Sequence, residues 1–160
     1  MVLFQVYQPI STAAAMERNE MENLIKTLKR HEGAESFVYL CPENRYTIGV
    51  GRNVDKRGGI GLSEDEIDYL LSNDIVRCIK EINKEYLWFG DLDEVRTEAV
   101  INAFFCLGAT RFRGFQKMIQ AFETADYKEA AAQLLDSRFA QQTGNRAIEL
   151  AQMIETGKYV

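Results

Sequence analysis

Glu32 stands directly before Gly33, at the close of a short amphipathic segment. A carboxylate at a helix C-terminus feels the negative end of the helix dipole, and partial burial there further disfavours its charged form. Both effects favour a protonated carboxyl, which is what a general acid must supply. Taken alone, His31-Glu32-Gly33 is not diagnostic, because a Glu beside a helix-ending Gly is more often an ordinary surface residue. His31, the one histidine, either tunes Glu32 or sits on a solvent-facing helix end. A second carboxylate, Asp74, interrupts an apolar helical stripe. Burying it unpaired costs several kcal/mol (on the order of 3–5), so it requires a cation or several hydrogen-bond donors. The three cysteines, Cys41, Cys78 and Cys106, are odd in number and have no metal-type spacing. They read as reduced thiols and not as a disulfide framework, with Cys78 and Cys106 on apolar helical faces as core residues.

The elements that position these groups are mostly helical, with one early exception. Residues 22–30 carry Leu24, Ile25 and Leu28 on one face, and Gly33 ends that helix. Phe37-Val38-Tyr39 and Tyr46-Thr47-Ile48-Gly49-Val50 read as short strands joined through Pro42-Glu43-Asn44, followed by a glycine-rich loop or third strand up to Gly61. Ser63 and Glu66 form a capping box. The stripe that follows, from Ile67 through Leu70, Leu71, Asp74, Ile75, Cys78 and Ile79 to Ile82, predicts the longest helix, fit to link two lobes. After an aromatic loop at 86–92, Asp93 caps a helix that Gly108 is expected to end. Shorter helices are expected at 116–124, 127–135, 137–141 and 144–155, with Gly157 beyond the last. Phe104, Phe112, Phe115 and Phe122 belong to the core. The fold class is α+β, a small antiparallel hairpin sheet followed by a helical lobe.

Composition sets the outer bounds. The chain has 160 residues, 46% hydrophobic and 27% charged, which suits one globular domain with a sizeable core. Its 19 Lys and Arg against 24 Asp and Glu give a net charge of −5, which argues against nucleic acid as the main partner. A locally basic cleft is compatible with that balance, and Arg111 and Arg113 form either such a surface or a solvated turn. No apolar run approaches the roughly 18–20 residues of a membrane span, so stable membrane insertion is not expected. The first sixteen residues have an apolar patch but no basic start, and Gln5, Gln8 and Pro9 interrupt it. They read as a poor signal peptide, and residues 1–20 as an N-terminal arm ahead of a domain at 21–160.

Eight residues separate Glu32 from Cys41, and five separate Cys41 from Thr47, which lies in Tyr46-Thr47-Ile48-Gly49-Val50-Gly51. This arrangement resembles the catalytic signature of family 24 glycoside hydrolases, the phage lysozymes: a Glu on a helix end, then Asp or Cys, then Thr. Gly114-Phe115, Ser137-Arg138-Phe139, Gln142-Thr143-Gly144-Asn145-Arg146 and Thr156-Gly157 are similar to later segments of the family, in the same order. The likeness runs from about Met21 to Tyr159.

The resemblance implies a lysozyme-like fold and hydrolysis of the β-1,4 bond between N-acetylmuramic acid and N-acetylglucosamine in bacterial peptidoglycan. No metal or cofactor is implied, and a monomer is expected. Glu32 would protonate the glycosidic oxygen, and Thr47 would help hold the attacking water on the opposite face. Asn102 and Arg146 match positions that support the catalytic Glu, Phe105 and Gln133 match sugar-contacting positions, and Arg52 with Asp74 matches a structural charge pair of the T-even members.

Cys41 stands where many members have Asp. A carboxylate there either stabilises oxocarbenium-like charge or activates water throughout the working pH range, whereas a free thiol is mostly neutral at pH 7 without cationic neighbours. Cys41 is thus either a reacting group or a small packing residue at the strand turn. Phe139 and Gly144 replace Trp and Pro, and the connection at 55–61 is shorter than in T-even members, implying fewer sugar contacts from the hairpin lobe.

The implied setting is bacterial lysis by a phage, from host cytoplasm to periplasm and cell wall, with a virion-associated location as the variant. Two other readings compete: a wall-binding or virion protein that kept the fold and lost turnover, and a transglycosylase with an anhydro-muramic product.

Overall fold

The computed structural model describes residues 18–160, so the arm expected at 1–20 lies largely outside the described residues. The chain divides into two compact units, residues 1–63 and 64–160.

The first described element is α1 (Arg18–Glu32), which begins three residues before the expected domain start at Met21. Met21, Leu24, Ile25 and Leu28 recur at helical spacing, but all stay at least one-third exposed and no α1 residue is buried. Lys29, Arg30 and His31 fill the last turn, where cations complement the dipole. Gly33 then takes φ 81°, and its N–H reaches back to the Lys29 carbonyl at 3.1 Å, so the helix stops where the sequence predicts.

Three antiparallel strands follow in the order β1 (Glu35–Leu40), β2 (Tyr46–Gly49) and β3 (Arg52–Asn53). Tyr39 pairs with Thr47 and Leu40 with Tyr46, while Thr47 also pairs with Asn53 on the other side. The β1–β2 turn closes through Cys41 N–H to the Arg45 carbonyl (3.0 Å) and Asn44 N–H to the Cys41 carbonyl (2.8 Å). Asn44 has φ 58°, a conformation Asn tolerates better than most residues.

The second unit is helical: α2 (Glu64–Glu85), a 3₁₀ turn (Leu87–Asp91), α3 (Glu94–Phe112), α4 (Gln116–Glu123), α5 (Tyr127–Leu135), α6 (Arg138–Thr143) and α7 (Asn145–Thr156). Helix α2 starts directly after Ser63, as the capping box predicts. Asp93 caps α3 by accepting the Arg96 N–H, and Ser137 caps α6 by accepting the Ala140 N–H.

Gly108 breaks α3 where the sequence expects an end, with φ 71° and ψ 161°, and a further short helical turn beyond it carries Phe112 into the core. The core is built on Ile82, Val100, Phe112, Met118, Leu134 and Ile154, all fully buried. Trp88 stacks on Phe122 with ring centroids 4.5 Å apart. Ala130, Ala131, Ala147 and Ala151 are buried on α5 and α7, whose small side chains suit the close packing of those two helices. Arg96 ties α3 to the C-terminal end of α7, donating to the Ile154 and Glu155 carbonyls (2.7 and 3.0 Å) while lying over the Tyr127 ring. These contacts satisfy carbonyls that a helix end leaves unpaired.

Candidate active site

In the first unit Glu32 is the last residue of α1, at the C-terminal mouth the sequence predicts. It is exposed, which corrects the expectation of partial burial: it rides on a helix with no buried residue. His31 is exposed as well, and its ring nitrogen accepts from Arg30 at 3.3 Å.

Cys41 and Thr47 are brought together through one carbonyl group. Arg45 C=O accepts the Cys41 N–H at 3.0 Å and the Thr47 hydroxyl at 3.1 Å. Thr47 is 4% exposed, and its donated proton leaves oxygen lone pairs to accept from a water. Cys41 is half-buried, with its S–H directed at Glu43 Oε2, 3.7 Å away. All three thiols are free. Cys106 is exposed at the rim of a groove and not in the core, and Cys78 is only part-buried. Burial, with the nearby Glu81 carboxylate, pushes the Cys78 thiol up.

Two residues that sequence reasoning passed over hold this turn. Asp55 is 4% exposed, and Thr47 and Asp55 are the only buried residues of the first unit among those described. Both Asp55 oxygens are used. Oδ1 accepts from Arg57 N–H and Nε (2.8 Å each), and Oδ2 from Arg57 Nη2 (2.7 Å) and the Tyr46 N–H (3.2 Å). This two-pronged guanidinium contact, joined by the Arg57 and Tyr46 N–H groups, holds the Asp55 carboxyl far below the usual carboxylate range against the opposing effect of desolvation. Arg57 also donates to the Asn44 carbonyl (2.6 Å), and Arg45 returns a bond to the Arg57 carbonyl (2.8 Å). The available signal is an Asn53-x-Asp55-x-Arg57 pattern before Gly58-Gly59, the composition of a side-chain-stabilised turn.

Arg52 directs Nε to the Gly61 carbonyl at 2.8 Å within the same unit. Asp74, in the second unit, is half-exposed and ion-paired with Arg77 one turn on, so the cation its place on the stripe demands is present.

Residues of the second unit line grooves that take in several of the expected site residues. One, of about 650 Å³, is lined by Leu71, Ile75, Leu92, Ile101, Asn102, Phe105 and Arg146 among others. Arg146 forks onto Asn102 Oδ1 through Nε (2.9 Å) and Nη2 (2.7 Å), so these two expected supporting residues form one unit, with the half-exposed Phe105 ring beside them. Another groove, of about 990 Å³, takes in Cys106, Gln133, Ser137 and Thr143. Phe105 and Gln133 thus line different grooves. Gln133 is anchored by its amide to Glu129 at 2.8 Å. Arg111, Lys117 and Arg138 line this second groove against a single carboxylate, Asp136, making it locally basic in an acidic chain. Arg113 is spent elsewhere, forked onto Glu85.

The profile of the phage lysozyme family matches residues 29–152, more than three-quarters of the chain. The chain belongs to the phage lysozyme family. The match spans Glu32, Cys41, Thr47, Asn102, Phe105, Gln133 and Arg146. The α+β fold, seven helices and one small antiparallel sheet among the described residues, agrees with that family.

Two relatives in Dictyostelium discoideum are called probable T4-type lysozymes 2 and 1. They are 28% and 26% identical to this chain, over 86% and 81% of it and 96% and 92% of their own lengths. An endolysin of Acyrthosiphon pisum secondary endosymbiont phage 1 is 24% identical over 74% of this chain and 80% of its own. Membership and these names support a muramidase-like glycoside hydrolase with peptidoglycan as its substrate class.

Proposed function

We propose that this protein hydrolyses the β-1,4 bond between N-acetylmuramic acid and N-acetylglucosamine of peptidoglycan, with Glu32 as the general acid. Glu32 delivers its proton to the glycosidic oxygen as the bond to the anomeric carbon breaks. A water held by the Thr47 hydroxyl attacks that carbon from the opposite face, giving inversion. The proton shed by the water has an acceptor in the Cys41–Glu43 pair, where the thiol is already hydrogen-bonded to a carboxylate. The observation that carries this reading is the shared Arg45 carbonyl: it holds Thr47 and Cys41 as one group, at the family spacing from a Glu on a helix end.

Glu32 is exposed in the free protein, so the water exclusion that favours a protonated carboxyl must come with bound substrate. Asn102 and Arg146 are proposed as a supporting pair, Phe105 and Gln133 as sugar contacts, and Arg52 and Asp74 as charged residues with structural roles. The basic groove by Gln133 suits the carboxylates of peptide stems. The setting we propose is phage lysis, with delivery from host cytoplasm to the wall, supported by the relative named an endolysin. The test is lysis of outer-membrane-permeabilised Gram-negative cells by wild type and Glu32→Gln. Wild type lyses them and the variant, equally folded, does not; full activity in the variant refutes the mechanism.

One observation favours a second reading, a wall-binding protein with little turnover. Cys41 stands where a carboxylate would be expected, and a thiol is a weaker base than the carboxylate it replaces. Binding to purified peptidoglycan without release of reducing sugar would select it.

A further inference from the structure

We propose that Asp55 is a positioning residue: its buried carboxylate fixes the Arg45–Tyr46 peptide group, and through it the poses of Thr47 and Cys41. The inference rests on the muramidase reading for its consequence in turnover, but its geometry stands without it.

The Arg45 carbonyl and the Tyr46 N–H belong to one peptide plane, which is rigid. The carbonyl end accepts from Cys41 N–H and from the Thr47 hydroxyl. The N–H end donates to Asp55 Oδ2. Pinning the N–H therefore pins the carbonyl, and rotating the plane would release Cys41 and Thr47 together.

The reason a side chain does this work is the shortness of β3. That strand pairs only Arg52 and Asn53 with β2, and Val54 N–H reaches the Tyr46 carbonyl at 2.8 Å. One residue further on, the ladder runs out, and the Asp55 carboxylate supplies the acceptor that a longer strand would have offered. It cannot swing away. Arg57 grips both of its oxygens and also holds the Asn44 carbonyl, so the 55–59 loop and the β1–β2 turn are fastened at both ends.

The loop itself is closely folded. Asp55 N–H donates to Asn53 Oδ1 (2.9 Å), Gly59 N–H to the Asp55 carbonyl (2.7 Å) and Ile60 N–H to the Asn53 carbonyl (3.1 Å). A Cβ on Gly59 would lie 2.6 Å from Asn53 O, Asn53 Oδ1 and Asp55 O, so only glycine fits. A charged, fully satisfied carboxylate is a firmer acceptor than a neutral amide, which cannot take four donors and would present its own NH₂ to Arg57.

The experiment compares wild type, Asp55→Asn, Arg57→Gln, Thr47→Ala and the Asp55→Asn/Thr47→Ala double variant. It measures turnover on purified peptidoglycan and hydrogen exchange at the Cys41 and Tyr46 amides. Asp55→Asn is expected to lower kcat on the order of 10-fold or more with KM changed less than about twofold. It should also speed exchange at both amides while α3 and α7 stay protected. In the Thr47→Ala background it adds less than it costs alone, because only its action through Cys41 remains. Arg57→Gln, which leaves the carboxylate in place, gives the same pattern more weakly and serves if Asp55→Asn fails to fold. Additive losses in the double variant, or unchanged exchange at Cys41 and Tyr46, would overturn the proposal. If wild type itself releases no sugar, the muramidase reading fails, and the exchange measurement alone decides the role of Asp55.

Discussion

The two units of this chain keep themselves folded by different means. The helical unit buries an apolar set that runs from Ile82 to Ile154, including Phe112, Met118 and Leu134. In the hairpin unit, the two buried residues among those described are polar, Thr47 and Asp55, and both belong to the candidate site. Apolar packing is nondirectional and tolerates small shifts, whereas hydrogen bonds fix angles as well as distances. A unit that must hold a hydroxyl, a thiol and a peptide group in set poses gains from the second. The cost is sensitivity: removing one partner of such a network leaves the others without theirs.

That contrast is open to attack from both sides. The largest effect on stability is expected from Leu134→Ala, which empties a fully buried site and should cost about 2–5 kcal/mol of unfolding free energy. Activity per folded molecule should be nearly unchanged; thermal unfolding alongside reducing-sugar release checks both halves. Gly59→Ala should do the reverse, sharply lowering turnover by forcing the 53–59 loop apart while hydrogen exchange in α3 and α7 stays native.

A smaller effect concerns acid. The Asp55 carboxyl titrates below its unfolded value of about 3.9, so its ion pair contributes fully above that pH and is lost as pH falls towards the folded-state value. The gap in unfolding midpoint between wild type and Asp55→Asn should therefore be constant from neutral pH down to about pH 5 and close below about pH 3.9. A gap that persists unchanged at the acid end would mean the charge is not what holds the clamp.

Cys41 gives the finest discrimination. Cys41→Asp should retain or raise turnover and Cys41→Ser should lower it; wild-type rates in both would leave Cys41 with packing alone. The smallest change is expected from Glu85→Gln, whose partner Arg113 lies half-exposed, so that unfolding and turnover both stay close to wild type.

The same contrast explains what could be read in the sequence. Helices of the second unit are legible because periodicity and caps act locally: Asp93, Ser137 and Gly157 mark their ends within a few residues. Gly108 is legible in the same way, as the break in α3; what local signals do not show is the short helical turn beyond it that buries Phe112. Cys106 misleads because its stripe is apolar on a face that turns out to line a groove.

Glu32, Cys41 and Thr47 were legible as candidates by their spacing, a property of the family and not of local physics. The clamp was not. Asp55 and Arg57 are ordinary loop residues one at a time, and the N–H they serve, that of Tyr46, lies nine positions upstream. Only the register of a two-residue strand puts them beside it.

The most direct test of the account weighs the soluble products from purified peptidoglycan after treatment with wild type and with an equally folded Glu32→Gln variant. A proton delivered by Glu32 to a leaving sugar predicts hydrolysed muropeptides with reducing N-acetylmuramic acid ends from the wild type and none from the variant. Equal product from the variant, or anhydro-muramic ends from the wild type, would contradict it.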